Sequence, residues 1–208
     1  MAQRHDFRTL DSRRIYTGAI VSLRVDDVAM PDGHTAEREV VEHHGAVAVV
    51  AVDEQDRVVL VHQYRHPLGR RLWELPAGLL DAPGEDPLDT ARRELAEETG
   101  LAAADWELLV DIALSPGFTD EAVRVFAARG LSEVDRPEPE HEEADLEVRR
   151  VPVDEAVAMV LRGEIVNATA VSGLLAFATA RATGTATRAP DAPWPDRPTT
   201  FARTRAEG

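Results

Sequence analysis

The segment from Gly78 to Leu101 reads GLLDAPGEDPLDTARRELAEETGL, and the interpretation of the whole chain starts from it. Its second half predicts a helix from Pro87 to Thr99, because apolar residues recur there at helical spacing among charged ones. Asp86 can cap the N-terminus of this helix, and Pro87 suits the first helical position. Gly100 supplies a C-terminal stop. The segment therefore predicts a loop followed by one well-delimited helix.

Three glutamates crowd the end of this predicted helix. Glu94 and Glu98 are four residues apart and Glu97 is three from Glu94, so their carboxylates share one face. Like charges at this spacing repel by ~0.2–0.5 kcal/mol per pair, and the helix dipole disfavours anions near the C-terminus. An arbitrary run of this kind is ordinarily a solvated acidic face. The alternative is a site for a hard dication, since Mg²⁺ binds a few carboxylates together with waters and substrate phosphate oxygens.

The composition excludes several classes of protein. The chain has 208 residues, enough for about one domain with extensions, and 44% of them are hydrophobic. It lacks cysteine, which excludes disulfides, thiolate zinc sites, iron–sulfur ligation and a cysteine nucleophile. With 23 basic and 38 acidic residues the net charge is −15, so we expect no nucleic-acid partner and no anionic membrane partner. An anionic substrate would need cations to mediate its binding.

The expected location is cytoplasmic. The N-terminal residues MAQRHDFRTLDSRR have no apolar core of the kind found in secretory signals. The longest apolar stretches, 45–52 and 171–180, fall short of the roughly 18 residues that a membrane span needs.

The first part of the chain is predicted to be rich in strands. Short alternating segments predict strands at 15–17, 20–25 and 38–41, with a turn at Pro31-Asp32-Gly33. Residues 45–52 (GAVAVVAV) predict a strand that is buried on both faces. Residues 58–64 predict a second strong strand, and we expect the two to form a hairpin.

The second part alternates strands and helices. Further strands are predicted near 106–113, 123–127 and 146–153, and further helices at 154–162 and 167–182. The acidic segment 135–144 is expected to be an exposed loop, and the tail from Thr183 to be loosely ordered. Runs of strands come first and few helices follow, so the fold class is α/β or α+β without a series of βαβ crossovers.

The quoted segment resembles the signature of the Nudix hydrolase family, G-x5-E-x7-R-E-U-x-E-E-x-G-U, in which U is aliphatic. The match is complete from Glu85 onward, whereas six residues instead of five separate Gly78 from Glu85. We interpret the extra residue as a longer loop around Pro83 and Gly84. The resemblance implies a Nudix-type α/β/α sandwich with a mixed sheet and an N-terminal β extension.

The resemblance also implies roles for residues of the segment. Glu94 and Glu98 would bind the metal, with Glu97 as a third ligand or a supporting neighbour, and Ala77 would offer its backbone carbonyl. The implied cofactor is Mg²⁺, with Mn²⁺ as a possible substitute. The implied structural positions are the glycines at the two ends and the pair that fixes the loop onto the helix: Gly78, Gly100, Glu85 and Arg93.

Flanking runs are similar to those of the ADP-ribose pyrophosphatase subgroup. They are Gln63-Tyr64-Arg65, the run from Leu72 to Gly78, and Pro116, sixteen residues after Gly100. This similarity implies hydrolysis of ADP-ribose to AMP and ribose 5-phosphate by a homodimer. It predicts an N-terminal dimerisation region at 1–44, a Nudix hydrolase domain at 45–182 and a flexible C-terminal tail at 183–208.

The residues that contact the substrate are predicted less directly. Arg65 is a candidate because an arginine fork fits phosphate oxygens, although an arginine at a strand end is often a plain surface charge. Arg38 is a weaker candidate of the same kind. Pro116 and Phe118 belong to a run that favours ADP-ribose, yet Pro116-Gly117 is also an ordinary turn dipeptide.

In ADP-ribose hydrolases the catalytic base comes from a loop far from the signature, and residues 139–145 resemble that loop. Alignment on the strand that follows selects Glu142, with Glu143 as the alternative, while an acidic loop of this kind also accommodates purely solvated glutamates. Metal-bound Glu98 is the second predicted catalytic residue. Histidines 43, 44, 62, 66 and 141 have no spacing that favours zinc.

Two other functions stay open at this point. One is another Nudix substrate: a nucleotide sugar, a dinucleotide or a mutagenic nucleoside triphosphate. The other is a non-catalytic nucleotide sensor, which the retained Glu94, Glu97 and Glu98 disfavour.

Overall fold

The computed structural model describes residues 6–82, 84–136 and 145–207. The chain divides into two compact units: unit 1 is Met1–Gly45, Ala113–Ala122 and Asp196–Gly208, and unit 2 is Ala46–Ile112 and Val123–Pro195. In chain order the elements are β1 (Thr9–Thr17), β2 (Val21–Ala29), β3 (Thr35–His43), β4 (Ala46–Ala51), β5 (Arg57–Arg65), a 3₁₀ turn (His66–Leu68), β6 (Arg70–Glu74), β7 (Ala77–Leu79), α1 (Pro87–Thr99), β8 (Leu101–Ala113), β9 (Ala122–Glu133), β10 (Glu147–Pro152), α2 (Val153–Leu161), α3 (Ala168–Thr183) and α4 (Thr200–Glu207).

Unit 1 is built on an antiparallel sheet in the order β1-β2-β3. The strands are longer than the alternating segments predict, because backbone pairing continues through the polar residues at their ends. The predicted turn joins β2 to β3, where Gly33 adopts a φ of 84° that favours glycine and donates its N–H to the Met30 carbonyl at 3.0 Å.

A buried charge network crosses this sheet. The Glu42 side chain is fully buried and accepts hydrogen bonds from Ser22 Oγ at 2.6 Å and Arg14 Nη1 at 2.7 Å. Arg24 completes the network with an ion pair to Glu42 and a pair of 3.0 Å hydrogen bonds to Asp26. Burial by itself would raise the pKa of Glu42, but the hydrogen bonds from Ser22, Arg14 and Arg24 outweigh it and hold that pKa below its usual value. The network therefore fixes the three strands to one another.

Unit 2 contains two sheets. The central one has the order β7-β4-β9-β8 and is mixed, because β4 runs parallel to β9 and antiparallel to β7. The second has the order β10-β5-β6, and its pairs are antiparallel. The mixed sheet was predicted.

The hairpin predicted from β4 and β5 is wrong. The two strands lie in different sheets, and an isolated bridge between Val52 and Val58 connects their ends. The reason is that β9 pairs along the whole of β4 on one edge and β7 pairs with Ala46–Ala48 on the other, which leaves β5 only the bridge at Val52.

Helices cover both faces of β4. Its alternate residues Val47, Val49 and Ala51 pack in one cluster with Ala91 and Leu95 of α1. The intervening Val50 faces α3 at Gly173, where an added Cβ would lie 3.2 Å from Val50 Cγ2 and 2.8 Å from Leu75 Cδ1. Because successive strand residues point to opposite faces, this alternation produces the predicted α/β/α sandwich.

The C-terminal segment contains more structure than its composition predicts. In unit 2, the Arg124 guanidinium lies 4.7 Å from the Trp194 ring centroid and donates to Asp111 Oδ1 and the Ala192 carbonyl, both at 2.8 Å. In unit 1, α4 buries Phe201 completely, with its ring edge-on to His44 at 4.5 Å. Burial of two aromatic side chains offsets the cost of ordering a polar segment. The flexibility of the remainder of the tail, 183–208, stays a prediction.

Among the described residues, none of the helices has the length and apolar character needed to cross a bilayer.

We predict that Glu42→Gln destabilises the protein by ~3 kcal/mol at neutral pH, because it removes the charge of a fully buried carboxylate that pairs with Arg14 and Arg24. The contribution of Glu42 is present above its usual pKa of 4.5 and is lost as the pH falls through its lowered folded-state pKa. The stability difference between wild type and variant should therefore shrink below about pH 4.5, as measured by denaturant unfolding of the full chain. Glu37→Gln is the matched control, since Glu37 forms an exposed pair with Arg13. It should change stability by less than ~1 kcal/mol. Equal losses in the two variants would contradict the role of Glu42.

Candidate active site

Helix α1 begins and ends where its sequence predicts. Asp86 Oδ1 accepts a 2.9 Å hydrogen bond from the Leu88 N–H, and Pro87 occupies the first turn. At the other end Gly100 takes a left-handed φ of 69° and donates its N–H to the Ala96 carbonyl at 2.9 Å. These two caps set the register of the glutamates on the helix.

Arg93 is the centre of the acidic cluster in unit 2. Its Nε and Nη2 each donate a 3.1 Å hydrogen bond to Glu85, one to each carboxylate oxygen. Its Nη1 donates to Glu94 Oε1 at 2.7 Å and to Glu97 Oε2 at 2.9 Å. Thr90 Oγ1 also donates to Glu85, at 2.9 Å. The Arg93 hydrogen bonds are the main reason that the pKa of Glu85 lies below its usual value.

The pairing of Glu85 with Arg93 is therefore present although the loop before it is one residue longer than the family signature. Sequence reasoning did not anticipate that the same guanidinium also holds Glu94 and Glu97. The local signal for it was available, since Arg93 precedes Glu97 by four residues, a spacing that brings side chains together on a helix.

Glu94 is the most perturbed carboxyl group of the cluster. Burial raises its pKa to about 7, with Glu97 and Asp81 adding to the rise and Arg93 opposing it. The side chain fills the space beside Gly78, where an added Cβ would lie 2.0 Å from Glu94 Cδ. An added Cβ at position 78 would therefore force the Glu94 carboxylate out of its observed position. The cluster is thus short of positive charge around Glu94.

Glu98 connects α1 to strand β7. Its side chain is almost fully buried, and Oε2 accepts a 3.0 Å hydrogen bond from the Ala77 N–H. The structure therefore brings Ala77 and Glu98 together through the backbone N–H of Ala77, while the prediction concerned its carbonyl.

The cluster has the donors that a hard dication prefers. Glu94, Glu97 and Glu98 all offer carboxylate oxygens, and the raised pKa of Glu94 reflects an anionic charge that its surroundings compensate poorly. Within 6–82, 84–136 and 145–207 no three acidic or histidine side chains converge as metal ligands. Arg93 Nη1 lies between Glu94 and Glu97, within hydrogen-bond distance of both. The donor chemistry fits a dication that competes with Arg93 for these oxygens.

Arg65 is held by a residue that sequence reasoning missed. Glu74 is buried, and it accepts hydrogen bonds from Arg65 Nε at 2.9 Å and Arg65 Nη2 at 2.6 Å. Gln63 Nε2 lies 3.4 Å from the same carboxylate. Glu74 thus orients the Arg65 guanidinium. Nearby Trp73 is half-buried and stacks on His62 at 4.4 Å, so it is not a core residue.

Two further predicted substrate residues lie together in unit 1. Arg38 and Phe118 line one cavity of about 360 Å³ with Arg13, Val25, Glu37, Glu39 and Gly117. Pro116 lies in the tight turn that presents Phe118, whose N–H donates to the Ser115 carbonyl at 3.1 Å and whose ring is largely exposed. An exposed aromatic ring beside an arginine is a surface suited to a planar anionic ligand.

The predicted base Glu142 and its alternative Glu143 lie outside the residues that the structure describes, as does His141.

Comparison with known protein families assigns residues 7–171 of the chain. Residues 42–171 match the model of the NUDIX domain. The chain belongs to the Nudix hydrolase family. Residues 7–41 of this Nudix protein match a second model, the nucleoside diphosphate sugar hydrolase N-terminal domain. The family predicted from the signature is confirmed.

Curated relatives are similar over most of the Nudix chain. An ADP-ribose pyrophosphatase from Mycobacterium tuberculosis is 57% identical over 98% of both chains. A methanol dehydrogenase activator from Bacillus methanolicus is 41% identical over 77% of this chain and 86% of its own. Among solved structures, an ADP compounds hydrolase covers 89% of this chain and 100% of its own with a TM-score of 0.74 at 21% identity. That structure confirms the predicted fold.

Gly78→Ala should abolish most of the hydrolytic activity of this Nudix protein, because the new Cβ displaces the Glu94 carboxylate. We expect a loss of ~10²-fold in kcat/KM, the scale seen when a catalytic group is misplaced by about 1 Å. Steady-state kinetics with circular dichroism as a folding check measures this.

The control is Gly163→Ala. Gly163 has a φ of 75° but no atom within 4 Å of the added Cβ, so it carries backbone strain without a clash. This variant should lose stability and keep its kcat/KM. A Gly78→Ala protein with wild-type kinetics would show that Glu94 does not need its observed position.

Proposed function

We propose that this Nudix hydrolase cleaves the diphosphate of ADP-ribose to give AMP and ribose 5-phosphate. The observation that carries the proposal is the 57% identity, over 98% of both chains, to an ADP-ribose pyrophosphatase. The acidic cluster on α1 supplies the donor set that a metal-assisted cleavage of a diphosphate needs.

The proposed cofactor is Mg²⁺, with Mn²⁺ as a substitute. Glu94, Glu97 and Glu98 would hold it, together with the backbone carbonyl of Ala77. When bound, a dication of this kind neutralises phosphate charge and lowers the pKa of a coordinated water. Glu85 and Arg93 hold the loop and the helix in register, and Gly78 and Gly100 provide the space and the turn that the ligands require.

The remaining residues have proposed roles on the substrate. Glu142, or Glu143 in its place, would take the proton from the attacking water. Arg65, whose guanidinium is oriented by Glu74, would donate hydrogen bonds to diphosphate oxygens. Arg38, Pro116 and Phe118 are proposed to contact the substrate.

A homodimer is proposed from the surface of unit 1. Strand β1 is exposed along its whole length, and it carries large apolar side chains together with its neighbours: Phe7, Leu10, Ile15, Tyr16 and Ile20. Apolar side chains gathered on an exposed edge strand favour association with a second copy. The predicted cytoplasmic location stays a prediction.

A different nucleoside diphosphate sugar is the second candidate substrate. The match of residues 7–41 to the N-terminal domain of nucleoside diphosphate sugar hydrolases supports it.

The substrate assignment is tested by a panel. ADP-ribose, ADP-glucose, GDP-mannose, a diadenosine polyphosphate and a deoxynucleoside triphosphate are each incubated with the full chain and Mg²⁺ or Mn²⁺. We expect the highest kcat/KM for ADP-ribose, with AMP and ribose 5-phosphate identified by chromatography and mass spectrometry. A higher kcat/KM for another compound would move the assignment to that compound. Binding without turnover of any compound would instead favour the sensor function.

The proposed base is tested by Glu142→Gln and Glu143→Gln in parallel. Loss of a general base costs typically 10²–10⁴-fold, so one of the two variants should lose kcat on this scale while keeping its KM. Glu155→Gln is the control, since Glu155 is an exposed partner of Arg162 on α2. If both loop variants kept full activity, the base would have to lie elsewhere in the chain.

A further inference from the structure

The C-terminal turn of α1 is electrostatically unfavourable by itself. The last carbonyls of a helix have no partners within it, and they form the negative end of the helix dipole. In this turn the chain places Glu97 and buried Glu98 next to half-buried Glu94, and α1 has no basic residue in its last turn. A helix end of this kind needs positive charge and hydrogen-bond donors from another part of the chain.

Arg136 supplies both from a position 39 residues further along the chain. Its Nε donates a 2.8 Å hydrogen bond to the carbonyl of Glu97. Two residues earlier, the Val134 N–H donates to the Gly100 carbonyl at 2.9 Å. The segment after β9 therefore satisfies two carbonyl groups at the end of α1, that of Glu97 in the last turn and that of Gly100 at the C-terminal stop.

The Arg136 guanidinium does not use all of its donors. Its Nη2 is buried and has no hydrogen-bond partner in the described part of the chain. An unpaired buried donor costs free energy. Gly100, whose φ of 69° disfavours other residues, lies beside this side chain: a Cβ built on it would be in ordinary van der Waals contact with Arg136 Cβ, at 3.5 Å.

We propose that Arg136 is a positioning residue for the metal ligands on α1. By holding the Glu97 carbonyl and placing a cation at the negative end of the helix, it keeps the last turn wound, so that Glu97 and Glu98 stay on the face that they share with Glu94. Arg136 acts through the helix and does not touch substrate. This inference rests on the proposed metal site, and it adds a residue that lies outside the family signature.

The test measures metal binding without turnover. Mn²⁺ is titrated into the full-length wild type and into Arg136→Ala, Arg136→Lys and Glu98→Gln, and free Mn²⁺ is followed by electron paramagnetic resonance. Glu98→Gln identifies which binding event belongs to α1. Loss of a residue that orients metal ligands typically weakens binding 10–100-fold, so Arg136→Ala should raise the Kd of that event at least tenfold. Arg136→Lys should recover part of the affinity, since it keeps the charge and one donor.

Hydrogen exchange of the metal-free protein gives the second measurement. The amides of Thr99 and Gly100 should exchange faster in Arg136→Ala, while amides in the first turns of α1 keep their protection. Arg162→Ala is the matched control, because it removes an arginine that pairs with Glu155 and Glu164 on the surface. It should change neither readout.

An unchanged Mn²⁺ Kd in folded Arg136→Ala would overturn the inference, as would uniform loss of protection throughout α1. If Arg136→Ala does not fold, Arg136→Met takes its place, and wild-type affinity and exchange in that variant would overturn the inference, because methionine has neither the charge nor the donor. A different outcome would overturn the proposed function and leave this inference standing: a wild type that binds Mn²⁺ at α1 but does not cleave ADP-ribose. A wild type that binds no Mn²⁺ at α1 would overturn this inference as well.

Discussion

The arrangement of the active-site cluster depends on the Arg93 guanidinium. It joins three carboxylates that would otherwise repel one another: Glu85 through two hydrogen bonds, and Glu94 and Glu97 through a shared nitrogen. Glu85 ties the preceding loop to the helix in this way, whatever the loop length. Glu94 is nevertheless left with a pKa of about 7, because burial outweighs the hydrogen bond that it receives from Arg93. This poorly compensated carboxylate is the physical basis of the proposed dication site.

The central sheet of unit 2 positions this cluster by packing against α1. Alternate side chains of β4 anchor α1 through Ala91 and Leu95, which fixes the rotation of the helix about its axis. With that rotation set, Glu94 lies beside Gly78 and Glu98 reaches the Ala77 N–H, so both contacts are made to strand β7. Arg136 secures the end of the same helix. The proposed metal ligands are therefore positioned by one strand, one helix face and one helix cap, all within unit 2.

Unit 1 also contains a buried carboxylate, but there the pKa is lowered and not raised. Glu42 is fully buried, yet its pKa stays below the usual value, since Ser22, Arg14 and Arg24 all donate to it. In the described part of the chain Arg93 is the donor to Glu94, and the pKa of Glu94 rises. The contrast separates a carboxylate with a structural role, Glu42, from one that we propose binds a cation, Glu94. Burial alone does not distinguish them, whereas the number of donors does.

Local sequence determined helix α1 and the identity of the metal-binding candidates. Asp86, Pro87 and Gly100 cap the helix through contacts within a few residues, and the spacing of the three glutamates fixes their common face. The strand order was not predictable in the same way: β4 and β5 are neighbours in sequence but lie in different sheets, because pairing depends on distant strands that compete for each edge. Only the tertiary structure shows that Glu74 orients Arg65 and that Arg136 caps α1. These partners are 9 and 39 residues apart in the chain, and no local periodicity connects residues that meet only after the sheets have formed.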